Sequence, residues 1–144
     1  MAPTFQKITP SLPVTSVPRS IEYYTEILGF RVAGRDGDDH CWVQLSEGVN
    51  CYLRSMYNVS LLLWRTFPDI PNDVAFGKVH IRISGEEDEL EKLFEGFKTK
   101  GARMHTEVTH KAWGLKNFAV TDLDENIINF DQVIAGWKPP VSSA

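Results

Sequence analysis

The spacing of apolar residues follows the same order twice along the chain. Both halves begin with a strand-like alternation, continue with helical spacing, and end with three further strand-like segments. The first half comprises, in order, Ile8–Val14, Val17–Leu28, Phe30–Ala33, His40–Leu45 and Val59–Arg65. The second half comprises Val79–Ser84, Leu90–Phe97, Arg103–Val108, Leu115–Thr121 and Ile127–Val133. The sequence therefore predicts an α+β fold of two βαβββ repeats, over about residues 7–67 and 77–134.

Polar residues and glycines mark where the two helices begin and end. Ser16 is the predicted N-cap of the first helix, and Gly29 closes that helix. In the second half Ser84 and Glu87 have the spacing of a capping box, and Gly101 follows the last apolar residue of the helical pattern. These boundaries predict that the second helix is one turn longer than the first.

Prolines constrain the first strand and the connection between the repeats. Pro10 and Pro13 cannot donate hydrogen bonds to a neighbouring strand, so the first strand must either lie at the edge of its sheet or pair through alternate residues only. The segment Pro68–Asn72 is the clearest linker in the chain, and it separates the two repeats.

The hairpin near the C-terminus carries the most specific pattern in the sequence. Residues 112–126 alternate as a strand through Phe118 and Val120 and then turn at Asp122-Leu123-Asp124-Glu125-Asn126. This stretch resembles the W-G-x-[RK]-x-F-x-[VL]-x-D-x-[DA]-G-N hairpin of bleomycin-resistance and glyoxalase-like proteins of the vicinal-oxygen-chelate superfamily. Glu125 stands where that pattern has glycine, so we expect a turn that tolerates a side chain. Ser20–Phe30 is similar to a second signature of the family, S-x-x-F-Y-x-x-x-L-G-F.

The resemblance implies that residues 1–144 form one domain whose eight strands curve into an open barrel with a ligand cavity. It also implies a homodimer in which each cavity is completed by the other subunit. The composition agrees with a globular domain, with 42% hydrophobic residues, 24% charged residues and a net charge of −4. The negative charge argues against nucleic-acid binding, and no apolar run reaches membrane length. We interpret Cys41 and Cys51 as reduced thiols in a cytoplasmic protein.

Enzymes of this superfamily hold a divalent metal with two His, Gln or Glu ligands from each half, and this chain lacks most of them. The matching positions on the first strand are Thr9, Ser11 and Pro13. The strand Val59–Arg65, where the second ligand would lie, has Ser60-Leu61-Leu62-Leu63-Trp64. The second half offers His80 and, at the fourth ligand position, Asn129. One histidine does not hold a metal, so we predict no metal and no other cofactor.

Polar residues alternate with apolar ones on the first strand of the second repeat. Val79, Ile81 and Ile83 suit packing under a helix, whereas His80, Arg82 and Ser84 share the opposite face and are predicted to line the cavity. His80 is a candidate acid or base, although a lone strand histidine is more often structural. Arg82 needs a partner when desolvated, and the alternatives are Asp131 or an anionic ligand group, which we favour. The remaining histidines, His40, His105 and His110, read as surface residues.

Aromatic residues supply the other candidate site. Trp42, Trp64 and Trp113 either build the core or stack on a flat ligand at the mouth of the barrel. We predict a ligand-binding set of Trp42, Trp64, Arg65, His80, Arg82, Trp113, Phe118 and Asn129. The sequence thus indicates a metal-free protein that binds a small, partly aromatic molecule. The alternatives are a lyase, isomerase or dioxygenase that uses His80 or rearranged metal ligands, and a non-catalytic partner protein.

Overall fold

A computed structural model describes residues 2–4, 8–45, 59–65 and 77–137. The first repeat contains a four-stranded sheet and one helix, with the strands β1 Ser11–Val14, β2 Arg31–Asp36, β3 His40–Leu45 and β4 Val59–Arg65. The helix α1 is α-helical over Val17–Glu22 and continues as a π-helical turn over Tyr23–Ile27. The strand order is β1-β4-β3-β2, in which β1 runs parallel to β4 and the other pairs are antiparallel.

The second repeat has the same order of elements and the same sheet topology. Its strands are β5 Lys78–Arg82, β6 Arg103–His110, β7 Leu115–Thr121 and β8 Ile127–Val133, and its helix is α2 Glu89–Thr99. The strand order is β5-β8-β7-β6, again with one parallel pair, β5 and β8. The chain divides into two compact units, Met1–Val74 and Ala75–Ala144. The prediction of two βαβββ repeats in an α+β fold is confirmed.

Two features discussed from the sequence, Cys51 and the linker Pro68–Asn72, lie outside the part of the chain that the structure describes. Cys41 is a buried free thiol, and burial raises the pKa of that thiol, with a smaller opposing effect from the charge of Arg35. Neither α1 nor α2 has the length and apolar character that crossing a bilayer requires.

The core of the first repeat lies between α1 and one face of the sheet. Alternate residues of β4, Leu61 and Leu63, are buried on this face together with the parallel neighbours Leu12 and Val14. Of the two alternatives that its prolines left open for β1, the edge position is confirmed. The helix begins as predicted, with the Ser16 hydroxyl accepting a hydrogen bond from a first-turn backbone N–H at 3.4 Å. We call the sheet face away from the helix the open face.

The core of the second repeat is an aromatic cluster under α2. Phe118 and Phe130 stack on neighbouring strands with ring centroids 5.5 Å apart, and Phe97 from the helix lies 5.3 Å from Phe130. Val79 and Ile81 of β5 are buried on the same sheet face, as their alternation predicted. The period of two therefore assigns the remaining residues of β5 to the open face.

The helix boundaries require two corrections. The second helix begins at Glu89 after the N-cap Asp88, which makes no side-chain capping bond, so the capping box predicted at Ser84 and Glu87 is wrong. Residues 85–88 form turns instead. The second helix has 11 residues, and the first has 6 α-helical and 5 π-helical residues, so the two are equally long rather than one turn different. In the π-helical turn the backbone N–H of Leu28 donates to the carbonyl of Tyr23, five residues back.

The turn between β7 and β8 contains the one described non-glycine residue with positive φ. Glu125, at the glycine position of the family pattern, has a φ of 66°. The Asp122 carboxylate fixes the turn by accepting backbone N–H bonds from Asp124 at 2.8 Å and Asn126 at 2.9 Å. The turn therefore accommodates a side chain at this position, but with the Glu125 backbone in the left-handed region. The surrounding hydrogen bonds hold Glu125 in a conformation that side chains disfavour.

We expect Glu125→Gly to stabilise the protein. Relief of the left-handed strain stabilises the folded state by about 1–2 kcal/mol. The greater entropy of glycine in the unfolded chain offsets about 0.5–1 kcal/mol of this stabilisation. The net increase in the free energy of unfolding is therefore about 0.5–1 kcal/mol, measured from the midpoint of urea unfolding. Asp124→Gly is the matched control, because Asp124 has no positive φ and the change should destabilise. An unchanged or lower midpoint for Glu125→Gly would contradict the strain argument.

A lysine on β7 connects the sheet to the start of α2. Lys116 is buried, and its ammonium donates to both carboxylate oxygens of Glu91, at 2.9 and 3.0 Å, and to the backbone carbonyl of Glu87. Partial burial alone would raise the pKa of Glu91. The hydrogen bond from Lys116, a backbone hydrogen bond and the nearby positive charges together outweigh burial, so the pKa of Glu91 is lowered.

The Glu91–Lys116 pair should make a pH-dependent contribution to stability. A lowered carboxyl pKa stabilises the folded state above the unfolded pKa of about 4.3, and this stabilisation disappears as the pH falls through the folded pKa. The Glu91 side chain is 41% exposed, so solvent screening limits the effect to about 1 kcal/mol. We expect Glu91→Gln to lower the free energy of unfolding by more at pH 7 than at pH 3, with Glu95→Gln as control. Equal losses at both pH values would exclude this ion pair as the cause.

Candidate functional site

Three aromatic side chains meet on the open face of the first sheet. Trp42 of β3 and Trp64 of β4 lie on adjacent strands. The cross-strand partner of Trp42 is Leu62, and Trp64 lies two residues further along β4. His40 is the direct partner of Trp64, and its ring stacks on Trp42 with centroids 6.4 Å apart and planes at 25°. The sequence had assigned His40 to the surface, although its spacing of two from Trp42 is the signal for a shared face. We call His40, Trp42 and Trp64 the aromatic face.

The aromatic face is accessible rather than part of the core. The Trp42 residue is 37% exposed, Trp64 is half-buried, and the His40 side chain is 44% exposed. A Cβ on Gly34 of the neighbouring strand would lie 3.6 Å from the Trp42 ring, so the indole packs closely beside the backbone there. His40 and Trp42 are stacked, and Trp64 on the adjacent strand adds aromatic surface to the same face, so stacking on a conjugated molecule is chemically possible here.

Polar groups continue the open face beyond the tryptophans. Gln44 pairs across the strands with Ser60, and its carbonyl oxygen accepts a hydrogen bond from Arg31 at 3.3 Å. Ser60 is only 7% exposed, and within the described part of the chain its hydroxyl has no hydrogen-bond partner. Because buried hydroxyls normally find a partner, this atom is an exception within the repeat.

Arg65 and Trp113, both predicted in the binding set, lie elsewhere. Arg65 follows Trp64 on β4 and therefore points to the opposite face, where its guanidinium lies 3.1 Å from the Asp39 carboxylate. Trp113 is 60% exposed and lies in the turn before β7, not on a sheet face. The period of two along β4 separates Arg65 from the aromatic face, so we leave it out of the proposed site.

A fourth tryptophan, Trp137, packs against the hairpin that carries Trp113. Trp137 donates its backbone N–H to the carbonyl of Ile134 at 3.1 Å, and its ring covers Gly114, where a Cβ would collide with the indole at 1.9 Å. Gly114 also has a φ of 85°. The Trp137 ring therefore rests on the backbone of this turn, although the residue is 37% exposed.

Four polar residues share the open face of the second sheet. The parallel register of β5 and β8 places His80 beside Asn129 and Arg82 beside Asp131. Arg82 donates from Nε to the Asp131 carboxylate at 2.7 Å, so the protein carboxylate named as one alternative is present. The Arg82 side chain is 58% exposed and that of Asp131 only 10%. We call these four residues the polar face.

Phe118, assigned to the binding set from the family hairpin, belongs to the core. The residue is 0% exposed and lies under α2, with its ring centroid 5.4 Å from that of Phe94 and 6.1 Å from that of Phe97. Its open-face neighbours on β7 are Asn117 and Ala119. The structure therefore contradicts a ligand contact by Phe118, because the side chain points away from the open face.

A family model matches most of the chain. The model of the Glyoxalase/Bleomycin resistance protein/Dioxygenase superfamily covers residues 5–130, which include both repeats up to the last strand. The chain belongs to this superfamily. Among functionally curated proteins, no sequence matches the chain significantly.

Solved structures of superfamily members share the fold of this chain at low sequence identity. A glyoxalase/bleomycin resistance protein/dioxygenase from Nocardioides is 17% identical with a TM-score of 0.68, over 99% of this chain and 93% of the other. The bleomycin-binding protein of Streptomyces verticillus, solved with copper(II)-bleomycin, is 21% identical with a TM-score of 0.66, over 94% and 100%. The antibiotic-binding protein TnmS3 of Streptomyces sp. CB03234 is 22% identical with a TM-score of 0.63, over 92% and 98%.

The open faces of this superfamily member do not fit the divalent metal that the family resemblance implies. His80 and Asn129 are register partners in the second repeat, and the open-face partners of β1 and β4 in the first are Ser11 with Leu62 and Pro13 with Trp64. In the described ranges, no three His, Cys, Asp or Glu side chains are grouped as metal ligands would be. An imidazole, an amide and a hydroxyl beside an aliphatic side chain form a poor donor set for a divalent cation. We therefore derive no chemistry through a metal.

Proposed function

We propose that the chain is a metal-free small-molecule-binding protein that holds a flat, partly aromatic ligand against its aromatic face. The observation that carries this proposal is the exposure of Trp42 and His40 beside Trp64 on the sheet face away from the helix. Leu61 and Leu63 fill the core under the helix without these rings. Stacking on a flat ligand gives the exposed indoles a role that packing does not.

Two proteins that share the fold are described as binding proteins, which supports the proposal. The two Streptomyces structures are described as a bleomycin-binding and an antibiotic-binding protein. Binding needs only shape, stacking and a few polar anchors. Enclosure of the ligand in a cavity completed by a second subunit stays a prediction, as do the homodimer itself and the cytoplasmic location.

An enzymatic reaction is the alternative, and His80 is the residue on which it would depend. His80 is exposed and lies beside Asn129, and no hydrogen bond among the described residues orients its ring. A general acid or base works best when a second group fixes its tautomer and direction. We therefore propose binding rather than catalysis, and Arg82 and Asn129 stay proposed ligand contacts on the polar face of the second repeat.

We expect Trp42→Leu to lower the affinity for planar aromatic molecules about three- to tenfold. Leucine keeps the residue apolar but removes the flat indole, and stacking of that kind is worth about 0.5–1.5 kcal/mol beyond area burial. Native mass spectrometry of the protein purified from cells first identifies any co-purified molecule. Isothermal titration calorimetry with fluorenone carboxylate, a planar tricyclic probe, then gives the affinities.

Trp113→Leu is the matched control for the stacking experiment. It is the same substitution at a tryptophan that is more exposed and lies in the turn before β7 rather than on a sheet face. We expect its affinity for the probe to equal that of the wild type. If both variants lose affinity equally, or if the wild type binds no planar probe, the aromatic face is not the binding surface.

A further inference from the structure

The unpaired hydroxyl of Ser60 lies on the same sheet face as the tryptophans. Ser60, Leu62 and Trp64 alternate along β4 with the core residues Leu61 and Leu63, so all three point to the open face. Ser60 is nine-tenths buried, yet its Oγ has no hydrogen-bond partner in the described chain. A buried hydroxyl without a partner carries an energetic cost that a bound polar atom removes.

A second polar side chain is the cross-strand neighbour of Ser60. Gln44 pairs with Ser60 in the register of β3 and β4, and such partners have Cβ atoms about 4.5–5.5 Å apart. The carbonyl oxygen of Gln44 accepts from Arg31, and among the described residues the amide nitrogen of Gln44 has no hydrogen bond. The amide nitrogen can only donate, and the hydroxyl can donate as well.

We propose that Ser60, with Gln44, selects ligands whose aromatic ring carries a carbonyl oxygen. This inference rests on the proposed function, since Trp42 and Trp64 hold the ring on the same face. The Ser60 hydroxyl can donate to one lone pair of a carbonyl oxygen, that acceptor completes the hydrogen bonding of the hydroxyl, and Gln44 brings a further potential donor to the same sheet face. A hydrocarbon ring of the same shape leaves the Ser60 hydroxyl desolvated and unpaired, so the site discriminates against it.

The test compares two rigid probes that differ only in this oxygen. Fluorenone carboxylate and fluorene carboxylate have the same planar skeleton, with a ring carbonyl in the first and a methylene in the second. By calorimetry we expect the wild type to bind the ketone about three- to tenfold more tightly, as one neutral hydrogen bond predicts. We expect Ser60→Ala to lose that preference by weakening the ketone alone, with no fall in melting temperature, since it removes an unpaired hydroxyl.

Ser11→Ala controls for the loss of a serine on the same open face. Ser11 is exposed on the edge strand, and its variant should keep the preference for the ketone. Equal binding of both probes by the wild type, with Trp42→Leu still weakening them, would overturn the role of Ser60 and leave the proposed function standing. Binding of neither probe would overturn both. A preference for the ketone that survives in Ser60→Ala would also refute this role.

Discussion

Phe118→Ala should lower the free energy of unfolding by about 3–5 kcal/mol. Phe118 is fully buried, and its ring contacts Phe94 and Phe97 of α2 and Phe130 of β8. Alanine would leave a cavity among rings that cannot close it without moving the helix. The measurement is chemical unfolding followed by circular dichroism, which reports on both the helix and the sheet.

The neighbouring residue and a smaller truncation make this prediction specific. Asn117→Ala changes the adjacent, half-buried position on the open face, and we expect it to cost less than about 1 kcal/mol. If Phe118→Ala is too unstable to purify, Phe118→Leu keeps much of the volume and should cost about 1–2 kcal/mol. A Phe118→Ala protein as stable as the wild type, but impaired in ligand binding, would return Phe118 to the binding set.

The order of elements could be predicted because the signals for it are local. Apolar residues spaced by two on β5 identified Val79 and Ile81 as core residues before any partner strand was known. The glycines after both helices have positive φ, as closing residues do, with 77° at Gly29 and 85° at Gly101. Where a local signal was weak, the boundary was wrong, as at the start of α2.

Cross-strand neighbours could not be predicted, because the sequence of one strand alone does not determine the register in which it pairs with another. The meeting of Trp42 and Trp64 depends on the pairing of His40 with Trp64 across β3 and β4. In the connection between those strands the sequence indicates a turn at Gly48, but the segment Asn50–Tyr57 has no clear pattern. The pairing of Ser60 with Gln44 has the same origin. Only the assignment of Arg65 to the ligand-binding set could have been avoided from the sequence, because a residue adjacent to Trp64 on a strand must face the other way.

The family hairpin explains both a success and an error. Its turn residues predicted the β7–β8 connection, which the Asp122 carboxylate organises as expected of an aspartate in a turn. Its phenylalanine was read as a ligand contact, although the side chain of Phe118 is in the core. A motif identifies residues that matter to the fold or to the site, and only the sheet face distinguishes the two.

We expect Arg82→Met to weaken the binding of an aromatic carboxylate by about 1.5–3 kcal/mol, which is roughly ten- to a hundredfold. Among the described residues, the guanidinium makes one hydrogen bond, from Nε to Asp131 at 2.7 Å. Its two terminal nitrogens remain on an exposed side chain, and they suit paired hydrogen bonds to an anionic group. Methionine keeps much of the stem volume and removes these donors. Calorimetry with naphthoate measures the loss, and neutral naphthamide should bind both proteins alike.

Asp131→Asn separates an anion-binding arginine from a purely structural ion pair. Removing either charge should destabilise the fold by about 1–2 kcal/mol, because Asp131 is mostly buried while Arg82 is open to screening by water. The effects on binding should differ. Asp131→Asn frees the guanidinium from its internal carboxylate, so the affinity for naphthoate should be retained or increased, whereas Arg82→Met should lose it. If both variants are destabilised alike and neither changes the affinity for naphthoate, Arg82 serves the fold alone and is not a ligand anchor.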